Sequence, residues 1–117
     1  MNDLRTFQSI YEEQIKFQNE MTNKYPYDFE VKELPEDNVQ GCSYHIQHLI
    51  SEIGEILGAD KRWKNYRNGK YDKDEKTNEI ADCFIVLMNV AIFSGLSSKE
   101  LEDTICKKID QNFERLK

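Results

Sequence analysis

Six aliphatic residues, Ile46, Leu49, Ile50, Ile53, Ile56 and Leu57, recur at intervals of three and four between Asn38 and Gly58. A strand turns successive side chains to opposite faces, so it would scatter these six; an α-helix gathers them on one stripe. Such a stripe must be covered, so this segment demands helical neighbours. Three more helical patterns supply them. Residues 3–21 carry Leu4, Phe7, Tyr11 and Ile15 about one turn apart. Residues 72–95 open with Asp72 and Glu75 at N-cap and N3 spacing, and end at Gly95. From Cys83 to Phe93 this third segment is apolar around most of its circumference, interrupted by Asn89, which predicts the central helix. The fourth begins at Ser97, with Glu100 completing a capping box, and its stripe is Leu101, Ile105, Ile109 and Phe113. Gly58 is the expected C-cap of the second helix. Pro26 and Pro35 make the first connection extended. Residues 60–76 read as a loop with room for one short helical turn, rich in Lys and Arg and holding a turn-forming Asn68-Gly69 pair. No strand pattern and no internal repeat competes, so the expected fold is all-α, one domain over residues 1–117, built as an antiparallel four-helix bundle.

Charge and cysteine usage narrow the function. The 117 residues carry a net charge of −6, with 32% charged and 38% hydrophobic side chains. General nucleic-acid binding normally comes with a basic surface, so it is not expected. Cys42, Cys83 and Cys106 are odd in number and lack CxxC spacing, which fits a reducing compartment such as the cytoplasm and argues against a disulfide framework or zinc site. The N-terminal residues show no secretory h-region, and the longest apolar run is too short to span a bilayer.

Carboxylates carry the chemistry. Glu52 and Glu55 lie three apart on the second helix, and Glu79 and Asp82 three apart on the third, so each pair shares a face. Other acidic pairs have the same spacing, among them Glu30 with Glu33 and Glu100 with Asp103, and belong to solvated surface. Context singles out the first two. Glu52 and Glu55 flank the apolar stripe with small Gly54 between them, and Glu79 and Asp82 open the most apolar helix. Antiparallel packing would bring all four to one level, where their repulsion calls for a hard divalent cation, Mg²⁺ or Mn²⁺. A ferritin-like di-iron site is disfavoured, because neither His45 nor His48 follows a Glu by three residues.

This double motif resembles the signature of the all-α nucleoside triphosphate pyrophosphatases, the MazG-like enzymes and the related dimeric dUTPases. Asn89, seven residues after Asp82, is similar to the Asn of the MazG-type motif. Lys61, Trp63 and Lys64 resemble the K-x-W-K element of the dimeric dUTPases, and Lys108, Asn112 and Arg115 the Lys, Asn and Arg of their last motif. Ser51 stands where the family often has a second Glu. The single helical unit is the size of a MazG-like chain.

The resemblance implies Mg²⁺-dependent hydrolysis of a nucleoside triphosphate, a deoxy or non-canonical one, to the monophosphate and pyrophosphate. Glu52, Glu55, Glu79 and Asp82 are then the metal-binding and catalytic set. Asn89, Lys61, Trp63, Lys64, Lys108, Asn112 and Arg115 are substrate-binding candidates, and the site is completed by self-association as a homodimer or tetramer. Each has a plainer alternative. Trp63 can simply anchor its loop, Asn89 can bond a neighbouring helix, and Gln14, Gln18 and Asn19 can be exposed helix surface instead of readers of a base edge. At the level of the whole chain, the alternatives are a non-catalytic nucleotide or alarmone binder and a helical interaction protein without metal.

Overall fold

The computed structural model describes residues 4–64 and 71–117; the expected Asn68-Gly69 turn, with Tyr66, Arg67 and Lys70, lies outside them. Four helices follow one another: α1 (Phe7–Lys24), α2 (Val39–Ala59), α3 (Lys73–Ile92) and α4 (Ser98–Glu114). Among the described residues the only extended pairing is an isolated bridge between Asp37 and Ser94.

Local chemistry sets the helix ends. Thr6 caps α1 reciprocally: its Oγ1 accepts from Ser9 N–H at 3.1 Å, and Ser9 Oγ accepts from Thr6 N–H at 2.9 Å. The helix therefore starts at Phe7, later than the Leu4 periodicity suggested, and runs on to Lys24. Asn38 caps α2 and Asp72 caps α3, each side chain taking an otherwise orphaned N–H. Ser97 accepts from Glu100 N–H at 3.1 Å, so the expected cap forms without the reciprocal bond of a box. Gly58 is still helical, and Asp60 is the cap residue of α2.

α2 and α3 pair antiparallel along their length, and α1 crosses onto α3. The core lies at one end of this hairpin, around Tyr11, Ile15, Leu34, Ile92 and Phe93. There the connection between α1 and α2 folds over the C-terminus of α3. Glu36 N–H donates to Ile92 O at 3.1 Å and Asn38 N–H to Phe93 O at 2.8 Å, so carbonyls that a helix end leaves unpaired are satisfied. Gly95, at φ +79°, turns the chain where Asp37 N lies 3.1 Å from the position of a Cβ. Tyr11 donates its buried hydroxyl to Leu96 O at 2.7 Å and ties α1 to the same corner. Gly41 lets Phe93 lie flat on α2, since a Cβ there would stand 2.7 Å from Phe93 Cε1.

The other half of the hairpin is thinly covered. Ile50 on α2 is 66% exposed and Phe84 on α3 is 64% exposed. The third helix is thus central at its C-terminal half only; its apolar run has one face against solvent in the single chain. The main neighbour of α4 is α1, and its stripe of Ile105, Ile109 and Phe113 is uncovered. The shape reflects this. The radius of gyration is 17.1 Å, against about 13 Å for a compact domain of this length. The accessible surface of 9111 Å² exceeds by roughly 2,400 Å² what a folded monomer of this mass normally exposes.

Candidate functional site

Antiparallel pairing of α2 and α3 sets Glu52 opposite Glu79 and Asp82. These three carboxylates present oxygens that all lie within 4.8 Å of one another. Glu52 and Glu79 are half-buried and Asp82 is exposed. Glu55, the fourth expected member, is exposed and stands outside this close group, yet near enough for its charge to act on Glu79. Desolvation first, then repulsion from Asp82, Glu55 and Glu52, pushes the Glu79 carboxyl above its ordinary range. Cys83 sits in the same negative field: desolvation, then Glu52, Asp82 and Glu79, raises its thiol, so it stays protonated and is a poor metal ligand. His48, one turn before Glu52, places Nε2 3.1 Å from Glu52 Oε1 and orients that carboxylate. Three oxygen donors at this separation, with no cationic side chain paired to Glu79 or Asp82 among the described residues, fit a hard divalent cation.

A cavity of about 710 Å³ opens beside the cluster, with Glu52 and Asp82 in its wall. Ile85, Val86 and Asn89 continue the same face of α3, and α1 forms the opposite side through Gln14, Phe17 and Gln18. Its far end is aromatic. Tyr27 stacks on Phe29 with centroids 4.8 Å apart and meets Tyr44 edge-on at 5.2 Å. Among the described residues, no Lys or Arg lines the cavity.

Polar groups at that end bond to one another. Gln18 is buried and donates Nε2–H to Tyr27 Oη at 3.0 Å; Tyr27 Oη lies 2.9 Å from His45 Nε2. His45 is 3% exposed, and its Nδ1 is buried without a partner. Desolvation, helped by nearby His48, drives its pKa down to about 4, so the ring is neutral at ordinary pH. Asn89 is 5% exposed and accepts from Gln14 Nε2–H at 2.9 Å. Its amide therefore bonds a neighbouring helix and lines the cavity at once.

The remaining candidates lie elsewhere. Lys61, Trp63 and Lys64 sit on the turn after α2. Trp63 donates Nε1–H to Leu57 O at 3.3 Å, and Lys64 Nζ lies 5.2 Å from the indole centroid, so the indole is anchored to α2. Two neighbouring cations are engaged as well: Arg62 and Lys76 both bond Asp60 at 2.8 Å, and in that order they hold its carboxyl well below the usual range. Lys108, Asn112 and Arg115 are exposed on α4, with Arg115 Nη1–H donating to Asn112 Oδ1 at 3.3 Å. None of these six candidates lines the cavity of the single chain. Sequence reasoning placed His48 on the side of α2 that carries Glu52, as a candidate contact to nucleotide or metal-bound water, without foreseeing its direct bond to that carboxylate, and it assigned no role to Asp60. The i,i+4 spacing of His48 and Glu52 was the available signal for the first; the Asp60 contact to Lys76 spans the loop and had none.

Compared with protein-family models, curated proteins and solved structures, the chain finds no match. Among the described residues, no helix is long and apolar enough to cross a membrane.

Proposed function

We propose that this chain is a Mg²⁺-dependent nucleoside triphosphate pyrophosphohydrolase of the MazG-like type, acting on a deoxy or non-canonical nucleotide. One observation carries the reading: Glu52, Glu79 and Asp82 converge from two helices at the edge of a cavity that has aromatic and amide walls and, among the described residues, no Lys or Arg. The carboxylate end suits a cation-bridged polyphosphate, and the uncharged end suits a nucleoside. Glu52, Glu79 and Asp82 hold Mg²⁺, for which Mn²⁺ can substitute, and Glu55 adds charge from one turn away. When bound, the metal neutralises phosphate oxygens and lowers the pKa of water at the site. His48 keeps Glu52 in its ligand rotamer. Asn89, held by Gln14, contacts the nucleoside.

The working unit is a homodimer or tetramer. The excess surface of a single chain is of the size that obligate interfaces bury, and the uncovered stripes of α2, α3 and α4 supply apolar faces for it. A second copy is also the route by which Lys108, Asn112 and Arg115 reach a phosphate chain. Lys61, Trp63 and Lys64, on the turn that leaves α2 toward α3, complete the substrate-binding set.

The deciding experiment incubates the protein with a panel of canonical and modified (d)NTPs, with and without Mg²⁺, and measures pyrophosphate against phosphate. Metal-dependent pyrophosphate release is expected. A folded protein that binds nucleotides without turning any over is the non-catalytic binder. One indifferent to both metal and nucleotide is an interaction protein.

A further inference from the structure

The carboxylates on which the cation reading rests lie where the α2–α3 hairpin is least supported. Glu79 is about 20 Å of helix away from the core residues Ile92 and Phe93. On the neighbouring turns Ile53 and Phe84 are exposed, so little apolar cover presses the two helices together there. Glu52, Glu79 and Asp82 repel one another across the same stretch. Among the described residues, two side-chain hydrogen bonds join α2 and its C-cap to α3 and the turn that follows it. Cys42 Sγ and Ser94 Oγ lie 3.4 Å apart at the core end, and Asp60 Oδ2 accepts from Lys76 Nζ at 2.8 Å at the open end. Lys76 stands one turn before Glu79, so the second tie lies beside the carboxylates.

Asp60 is firmly held. It is 8% exposed and accepts from Arg62 as well as Lys76: Arg62 N–H at 3.1 Å and Nε–H at 2.8 Å reach Oδ1, and Nη2–H at 2.8 Å reaches Oδ2. The Arg62 guanidinium carbon lies 3.3 Å from the Tyr71 ring centroid, and Tyr71 directly precedes Asp72, the N-cap of α3. Arg62 alone neutralises Asp60 within the turn and fixes its orientation. The second cation, Lys76, comes from the opposite helix, so its bond constrains how α3 lies against α2.

We propose that Asp60 and Lys76 form a clasp that holds α2 and α3 in the register at which Glu52 meets Glu79 and Asp82, against the repulsion of those carboxylates. Both are positioning residues: neither lines the cavity, and they act on a cation through the spacing of its ligands. The clasp assembles the site before a cation arrives, so binding does not have to draw the helices together.

Hydrogen exchange of the full chain without metal reads the clasp directly. Lys76→Met cuts the tie and leaves the Asp60–Arg62 pair; Asp60→Asn weakens it from the other side. In whichever variant keeps its helical circular dichroism, amides of residues 53–58 and 77–82 are expected to exchange at least about tenfold faster, with those of 88–93 unchanged. Adding Glu79→Gln is expected to reverse much of that acceleration, because it removes part of the repulsion that opens this end. Unchanged exchange at the open end, equal loss of protection at both ends, no reversal by Glu79→Gln, or loss of the whole fold in both variants overturns the proposal.

Mg²⁺ titration separates the clasp from the cation reading. Lys76→Met is expected to bind Mg²⁺ about tenfold more weakly, and Lys76→Arg, which keeps the charge and the reach, to stay within about threefold of wild type. Lys73→Met removes the same charge from an exposed position on the same helix and is also expected to stay within about threefold. Equal weakening by Lys73→Met assigns the effect to charge alone and overturns the clasp, as does unchanged binding in Lys76→Met. A wild-type chain that binds no Mg²⁺ removes the cation reading alone, and the exchange rates then decide the clasp.

Discussion

The two ends of the cavity are built on opposite terms. At the aromatic end, polar atoms find partners within the chain: Gln18, Tyr27 and His45 bond in series, with His45 Nδ1 the exception. At the carboxylate end, Glu52, Glu79 and Asp82 crowd together, and among the described residues only Glu52 has a partner, His48. The first end is closed by the fold. Among the described residues, the charge of the second is left uncompensated by folding, and that contrast is what the proposed cation site rests on.

Neutralising Glu79 breaks this contrast most sharply. Glu79→Gln is expected to lower Mg²⁺-dependent turnover by about a thousandfold, the scale of several kcal/mol of lost charge stabilisation. The same change should raise the thermal midpoint of the metal-free protein, since it removes a desolvated, repelled charge. Full activity in Glu79→Gln would remove this residue from the site. At the other end, Gly41→Ala forces a methyl into the Phe93 ring and is expected to cost about 3 kcal/mol in denaturant unfolding. An unchanged midpoint would mean that the α2–Phe93 contact is not tight.

Acid should weaken the aromatic end. His45 binds its proton with a pKa near 4 when folded and near 6.5 when unfolded, so the unfolded chain takes up protons first. Its contribution is complete above about pH 6.5 and is lost as pH falls towards 4, on the order of 3 kcal/mol. Unfolding midpoints measured across that range should lose this slope in His45→Phe. The smallest effect belongs to His48→Ala: about tenfold weaker Mg²⁺ binding by titration, with stability changed by less than about 0.5 kcal/mol because the ring is exposed.

Much of this was legible in the chain because it depends on local periodicity. The aliphatic stripe of α2, the caps at Asp72 and Ser97, and the shared faces of Glu52 with Glu55 and of Asp82 with Asn89 are consequences of helical geometry. The polar residues of α1 were not legible. Gln14, Gln18 and Asn19 look like solvated surface by composition, yet Gln18 is buried and Asn19 clamps Leu34. Their roles come from residues far along the chain, Asn89 and Leu34 among them. Nor did the apolar run of α3 reveal that Phe84 and Leu87 would face solvent, because composition measures how much surface needs covering and not whether the same chain covers it.

The sequence by itself therefore determined four amphipathic helices and two acidic pairs, since a 3.6-residue period dictates which side chains share a face. Only the tertiary structure decided that Glu52 meets Glu79 and Asp82 while Glu55 stands apart, that α1 and the aromatic connection enclose a cavity beside them, and that Asn89 answers to Gln14. Those relations depend on the register and crossing of helices distant in sequence, which no local pattern encodes.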